Sequence, residues 1–172
     1  MARIRKAHSD EANLLTDIGL RAWEQAMITV GDTRSMVENA RNAFRNFTRS
    51  GFSTISVVEH MGQPVGWGAR ENLDDKITDF WIDPGYQGRG YSRALLQAIE
   101  QDIIDRGYEE VHLETHSRNR QAVSFFQHHG YGMRWLSVVY NPKLDRNIET
   151  IGMSRRLVEN HSNTYGPGGA FE

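Results

Sequence analysis

No cysteine occurs anywhere in the 172 residues, which excludes a disulfide framework, a cysteine-based zinc site and a thiol nucleophile. Any nucleophile is therefore another residue or a substrate. Proline is scarce, with four against sixteen glycines, so collagen-like and low-complexity chains fall away. An excess of one charge is missing too. Lysine and arginine number 20 against 22 acidic residues, a formal charge of −2, and nothing global invites nucleic acid or an acidic lipid surface. No run of about 18 apolar residues occurs, and residues 1–10 hold no apolar leader segment. The expectation is a cytoplasmic protein with no nucleic-acid and no membrane partner.

What is present is patterned. Residues 2–7 alternate as a half-buried strand does, and Leu15, Ile18, Ala22 and Ala26 recur at helical spacing, predicting a helix over about 10–28 with Ser9 as N-cap. Gly31-Asp32 breaks it, Asp32 or Thr33 caps a second helix, and Met36, Val37, Ala40, Phe44 and Phe47 form its apolar stripe, ending before Gly51. Residues 54–59 and 65–69 read as a hairpin, and 77–83 as the next strand. Leu95, Leu96, Ile99 and Ile103 line a helix closed by Gly107, 111–116 is strand-like, and Ala122, Phe125, Phe126 and His129 mark a short helix between Asn119 and Gly130. Two last strands are expected at 134–140 and 149–154. The order implies an α/β (α+β) single domain over 1–157, a mixed central sheet of about six to seven strands flanked by four helices, with 158–172 a flexible tail.

The most informative stretch runs from Ile82 to Leu96, a strand passing through Gly88-Arg89-Gly90 directly into an amphipathic helix. A helix start of this kind presents several N–H groups and a positive dipole end to an anion. Gly88 and Gly90 permit close approach, and Arg89 and Arg93 add charge. An isolated Gly-x-Gly serves equally as a plain strand-to-helix turn. A dinucleotide fingerprint would need glycine where Arg93 stands, and a Walker loop needs a Gly-Lys-Ser/Thr that the sequence lacks.

Gln87, Gly90 and Ser92, followed by Asn119, Ala122, Phe126 and Gly130-Tyr131, resemble the paired motifs of the GCN5-related N-acetyltransferase family. The resemblance spans about residues 2–156 and is strongest over 77–135. It implies acetyl-CoA as cosubstrate and an amine acceptor. Main-chain groups near Trp81 and Ile82 would bond the pantetheine arm like an added strand. The N–H groups of Gly88, Arg89, Gly90, Tyr91 and Ser92 would hold the diphosphate, with Asn119 and Phe126 lining the far side of the arm.

Two departures stand out. Ser92 replaces the usual small glycine or alanine, and Phe126 stands where many members carry a tyrosine that protonates the departing thiolate. Tyr131 and Tyr140 are the candidate replacement acids. A thiol of pKa about 8.5 is a tolerable leaving group without one. Glu114 matches the position of a proposed catalytic glutamate in the ribosomal-protein branch, and Asp79 is a second candidate base. His112, Glu114 and His116 share one strand face, which reads as a proton relay or as a solvated face. The metal reading of that stripe is the weaker one, and no metal is expected. Glu71, Asp74, Asp75 and Asp79 would either draw a cationic acceptor or form an exposed loop, and His128-His129 read as capping or surface residues.

Trp23, Met27, Phe44, Trp135 and Tyr140 are candidates to shape the acceptor pocket, or to fill the core. A lysine amine is about 4 to 5 kcal/mol from its neutral form at pH 7, far more than an α-amine, so an α-amine or small-molecule amine is favoured. The alternatives are a catalytically weak acetyl-CoA sensor and an interaction protein that dimerises through its sheet edges.

Overall fold

Residues 2–27, 34–142 and 145–158 are described by the computed structural model. The break at Gly31-Asp32 with its capping Asp32 or Thr33, and the tail from 159 onward, lie outside them. No helix of the described residues is long and apolar enough to cross a membrane.

Strand β1 (Ala2–Lys6) leads to helix α1 (Ala12–Ala26), not through a Ser9 cap but through one 3-10 turn at Ser9–Glu11. The reason is Glu11. Its carboxylate accepts from the His8 N–H at 2.8 Å and from both terminal nitrogens of Arg5, at 3.0 and 2.7 Å, while Arg5 Nε donates to Glu59 at 2.7 Å. The first turn is thereby clamped to β1 and the helix proper starts at Ala12. The Arg5 hydrogen bonds hold the Glu11 carboxyl below its usual range, against the opposing effect of burial. A lowered carboxylate pKa contributes stability that is full above the ordinary range and lost as pH falls through the folded value. Glu11→Gln is accordingly expected to lower the thermal midpoint at pH 7, with the gap to wild type closing at pH 3.

Helix α2 (Arg34–Ser50) buries Met36, Ala40, Phe44 and Thr48, as the apolar stripe requires. Thr48 meets Thr16 of α1 in a buried hydroxyl pair at 2.9 Å. Strands β2 (Ile55–His60) and β3 (Gln63–Ala69) form the hairpin, turning at Met61 and Gly62, both at positive φ. The expected strand 77–83 is two strands, β4 (Lys76–Ile77) and β5 (Asp79–Ile82), divided at Thr78. Then follow α3 (Tyr91–Asp105), β6 (Glu110–His116), α4 (Arg120–His128), β7 (Gly132–Asn141) and β8 (Arg146–Arg156).

That division shapes the molecule. Strand β5 pairs antiparallel with β3, and β4 pairs parallel with β6, giving two four-stranded sheets in the orders β1-β2-β3-β5 and β4-β6-β8-β7. The single sheet expected from the strand count is split between β5 and β6. Thr78 fixes the division, because its N–H and hydroxyl both donate to the Ala69 carbonyl, at 2.9 and 3.2 Å.

Both sheet faces are covered, so β2 is buried without alternation from Ile55 to Glu59, Ser56 and Glu59 included. One face packs Leu15, Ile18, Trp23 and Phe44 of α1 and α2 on Val57, Trp67 and Ile148. The other packs Leu95, Leu96, Ile99 and Ile103 of α3 on Val58, Val65, Val111 and Met153. Trp67 is fully buried, edge-on to Phe44 and stacked on Phe47, and its indole N–H donates to the Leu15 carbonyl at 2.8 Å. Trp23, Met27 and Phe44 take the core alternative, as members of the first cluster.

Candidate active site

The loop after β5 is built by its own side chains. Asp83 turns the chain, accepting from the Gly85 N–H at 3.2 Å with one oxygen and from Arg21 of α1 at 2.7 Å with the other. Gln87 donates to the Ile82 carbonyl at 3.4 Å and accepts from Gln121 of α4 at 3.1 Å. Gly88 and Gly90 both sit at positive φ, +74° and +89°, and a Cβ built on either meets nothing within 4 Å. Gly90 is the left-handed N-cap of α3. The first N–H groups of a helix have no carbonyl behind them, so those of Tyr91 and Ser92 are available to an anion in the cradle that the open space at Gly88 and Gly90 leaves. Arg89 lies over the Tyr86 ring at 5.3 Å.

Beside the cradle runs a cleft with Trp81 and Ile82 of β5 on one wall, Asn119, Ala122 and Phe126 on the other, and Gln87, Gly88 and Ser92 at its end. Asn119 caps α4, accepting from the Ala122 N–H at 3.2 Å, which fixes its amide at the cleft wall. Phe126 is buried among Phe80, Phe125 and Tyr131. The cleft continues into the gap between the splayed strands, where Asp79, Phe80 and Trp81 face Leu113, Glu114 and Thr115. Beyond the gap is a second opening lined by Lys76, Glu114, His116, Tyr140 and Thr150. The three cavities adjoin: Phe80, Trp81 and Asn119 line both the first and the second, and Thr78, Glu114 and Thr115 both the second and the third.

The structure thus brings Trp81, Ile82, Gln87, Gly88, Ser92, Asn119 and Phe126 into one cleft, with Arg89, Gly90 and Tyr91 in the adjoining loop. Asp79 and Glu114 flank the gap. Asp79 accepts from the Trp81 indole at 3.0 Å, and Glu114 pairs with Lys76 Nζ at 2.7 Å. Tyr140 lies at the far opening, its hydroxyl donating to Asp145 at 2.6 Å. That hydrogen bond holds its pKa above the ordinary phenol range. Tyr131 is placed elsewhere. Its hydroxyl donates to buried Glu100 at 2.6 Å, behind Phe126, and burial together with that carboxylate holds its proton firmly.

His116 accepts the Arg118 N–H at Nδ1, 3.0 Å, and burial, with Arg118 next, lowers its pKa, so the ring is neutral at pH 7 with its proton on Nε2. His112 lies 3.6 Å from both Asp75 and Glu110. Among the described residues no three His, Asp or Glu side chains converge as metal ligands. Two contributors escaped the sequence reading. Gln121 was hidden because only the loop-to-α4 approach gives it a role, and Lys76 because its place beside Glu114 depends on the parallel pairing of β4 with β6.

Residues 18–131 match the family model described as the acetyltransferase (GNAT) family. The chain belongs to the GNAT family. Among curated GNAT relatives, the mycothiol acetyltransferase of Nocardiopsis dassonvillei is 32% identical over 84 residues, 49% of this chain and 23% of that protein. The [ribosomal protein bS18]-alanine N-acetyltransferase of Escherichia coli K12 is 27% identical over 95 residues, 54% of this chain and 64% of that protein. The chain thus spans less than two thirds of the length of either. In fold it is similar to the PaiA N-acetyltransferase of Thermoplasma acidophilum in complex with coenzyme A, with a TM-score of 0.72 at 14% identity over 91% of this chain and 99% of that one.

Proposed function

We propose that the protein is an N-acetyltransferase that moves the acetyl group of acetyl-CoA directly to an amine. The observation that carries this reading is the set of three adjoining cavities, one beside the anion cradle, one at the split between β5 and β6, and one opening beside Tyr140. A diphosphate fits the cradle, where two left-handed glycines leave open space before the α3 N-terminus. A pantetheine arm fits the cleft, running along β5, the last strand of its sheet, beside Trp81 and Ile82. Bound acetyl-CoA supplies a thioester carbonyl, and an amine entering from the second opening attacks it without a covalent enzyme intermediate.

At the gap, Glu114 is the base this reading assigns, with Asp79 second, since both flank the point where the two routes meet. Lys76 Nζ lies 2.7 Å from the Glu114 carboxylate and orients it. For the acid, Tyr140 at the acceptor opening is assigned over Tyr131, whose hydroxyl is held by Glu100 on the far side of Phe126. The bS18-alanine relative supports a polypeptide α-amine as acceptor, and so does the small uphill cost of a neutral α-amine. Thiol release from acetyl-CoA across peptide N-termini, lysine peptides, amino acids and polyamines tests this. Acceptor-dependent release is expected with peptide N-termini, and silence across the panel overturns the reading.

Phe126 favours the second reading, a weakly catalytic acetyl-CoA sensor, because a buried phenyl ring on the cleft wall has no proton to give. Under the transferase reading, Phe126→Tyr adds a phenol there and is expected to raise kcat about tenfold with KM for acetyl-CoA unchanged. A sensor would bind acetyl-CoA tightly and stay silent in both forms.

A further inference from the structure

The cosubstrate loop is exposed at Gly88, Arg89 and Gly90 and has open space around both glycines, so packing against the loop tip does not set its shape. Its shape must come from its two ends. Tyr86 stands at the entrance, and Tyr91, buried, is the first residue of α3. His60, the last residue of β2, touches both. Its ring lies 5.9 Å from that of Tyr86 and 5.8 Å from that of Tyr91, and the two tyrosine rings are 6.0 Å apart. The Tyr91 hydroxyl shares a hydrogen bond with His60 Nδ1. The tie reaches from the hairpin to the residue whose own N–H opens the helix.

Resting on the acetyl-CoA reading above, we propose that His60 is a positioning residue for the diphosphate-binding loop. It gathers the two loop ends through Tyr86 and Tyr91, so that the N–H groups after Gly90 converge on the cosubstrate. The hairpin supplies rigidity that the glycines cannot. Met61 and Gly62 turn tightly just after His60, and Glu59, in the preceding position, is clamped by Arg5. The imidazole is therefore fixed from behind. The other two anchors of the loop, Asp83 to Arg21 and Gln87 to Gln121, hold its entrance and middle. The Tyr91 ring is also packed in the core of α3 and edge-on to Tyr86, and the tie to His60 holds its hydroxyl.

A loop-positioning role differs from a general packing role in what it affects. Loosening the loop weakens ligands that carry the diphosphate and spares those that do not. The test compares acetyl-CoA with S-acetylpantetheine, which keeps the thioester arm and lacks the diphosphate. His60→Phe retains a ring against both tyrosines and removes the acceptor, Tyr91→Phe removes only the hydroxyl, and His60→Asn returns an amide oxygen near the place of Nδ1. Both phenylalanine variants are expected to raise KM for acetyl-CoA about fivefold, the effect of one hydrogen bond. His60→Phe should leave kcat and the KM for S-acetylpantetheine at the wild-type values, and His60→Asn should recover most of the loss.

An unchanged KM for acetyl-CoA in both phenylalanine variants overturns the proposal, as does an equal rise for the two thioesters, which would mark His60 as packing alone. Should His60→Phe melt below the assay temperature, the ratio of the KM for acetyl-CoA to that for S-acetylpantetheine in Tyr91→Phe decides, a rise in the ratio supporting the proposal and an unchanged ratio overturning it. Failure of the wild type to bind acetyl-CoA by calorimetry overturns the acetyltransferase reading itself and the proposal with it. That outcome is distinct, because it needs no variant.

Discussion

Gly90→Glu is expected to abolish measurable acetyl-CoA binding while the protein stays folded. At φ +89° the residue occupies left-handed backbone, which costs an L-residue about 1 to 2 kcal/mol, a tolerable fraction of a typical 5 to 15 kcal/mol stability. A Cβ built here meets nothing within 4 Å, and Gly90 itself is exposed, so no core contact is lost. The new carboxylate stands at the N-terminus of α3, where the diphosphate would bind, and opposes it by both volume and charge. An affinity loss of about 100-fold or more, near 2.7 kcal/mol, should be seen by calorimetry, with a thermal midpoint only a few degrees lower. Gly90→Ala separates the causes, since it carries the strain without the charge and should lose far less. Binding of acetyl-CoA by Gly90→Glu at wild-type strength would mean that the cradle does not hold the diphosphate.

Trp67→Ala carries the largest expected loss of stability. The side chain is fully buried between α1, α2 and the first sheet, and its indole N–H is satisfied by Leu15. Deleting it leaves a cavity among Phe44, Phe47 and Leu15, and such truncations cost about 3 to 5 kcal/mol. With a urea slope of about 2 kcal/mol/M, the unfolding midpoint should fall by about 2 M. Trp135→Ala is the matched comparison. Trp135 is 40% exposed on edge strand β7, and its removal should move the midpoint by less than a quarter as much. Equal shifts would mean that burial does not rank these two tryptophans.

The elements most legible in the sequence were those governed by local rules. Gly107 and Gly130 end α3 and α4 at positive φ, Asn119 caps α4, and the apolar spacing of α2 and α3 gives their buried faces. The cradle was legible for the same reason, because a glycine-bearing turn into a helix is a local device. What escaped depends on distant partners. Residues 77–83 look like one strand until Ala69 takes the Thr78 N–H and hydroxyl, and the division at Thr78 decides that there are two sheets and a gap. Ser9 is a sound N-cap by type, yet Glu11 is drawn to Arg5, which is close only because β1 folds back beside it. Tyr131 and Tyr140 were equivalent on paper. The turn after α4 sends one to Glu100 and β7 carries the other to the acceptor opening.

The placement of the four tryptophans has an optical consequence. Trp23 and Trp67 are sealed in the core, Trp135 is part-exposed at the sheet edge with its indole laid over Gly152, and Trp81 forms part of the cleft wall. The molecule therefore carries a built-in dye at the place a ligand would enter. Its intrinsic emission divides into two steady dry components, one wet component that reports on the edge, and one that samples the cleft, so that occupancy can be followed in unlabelled protein by the colour of a single indole.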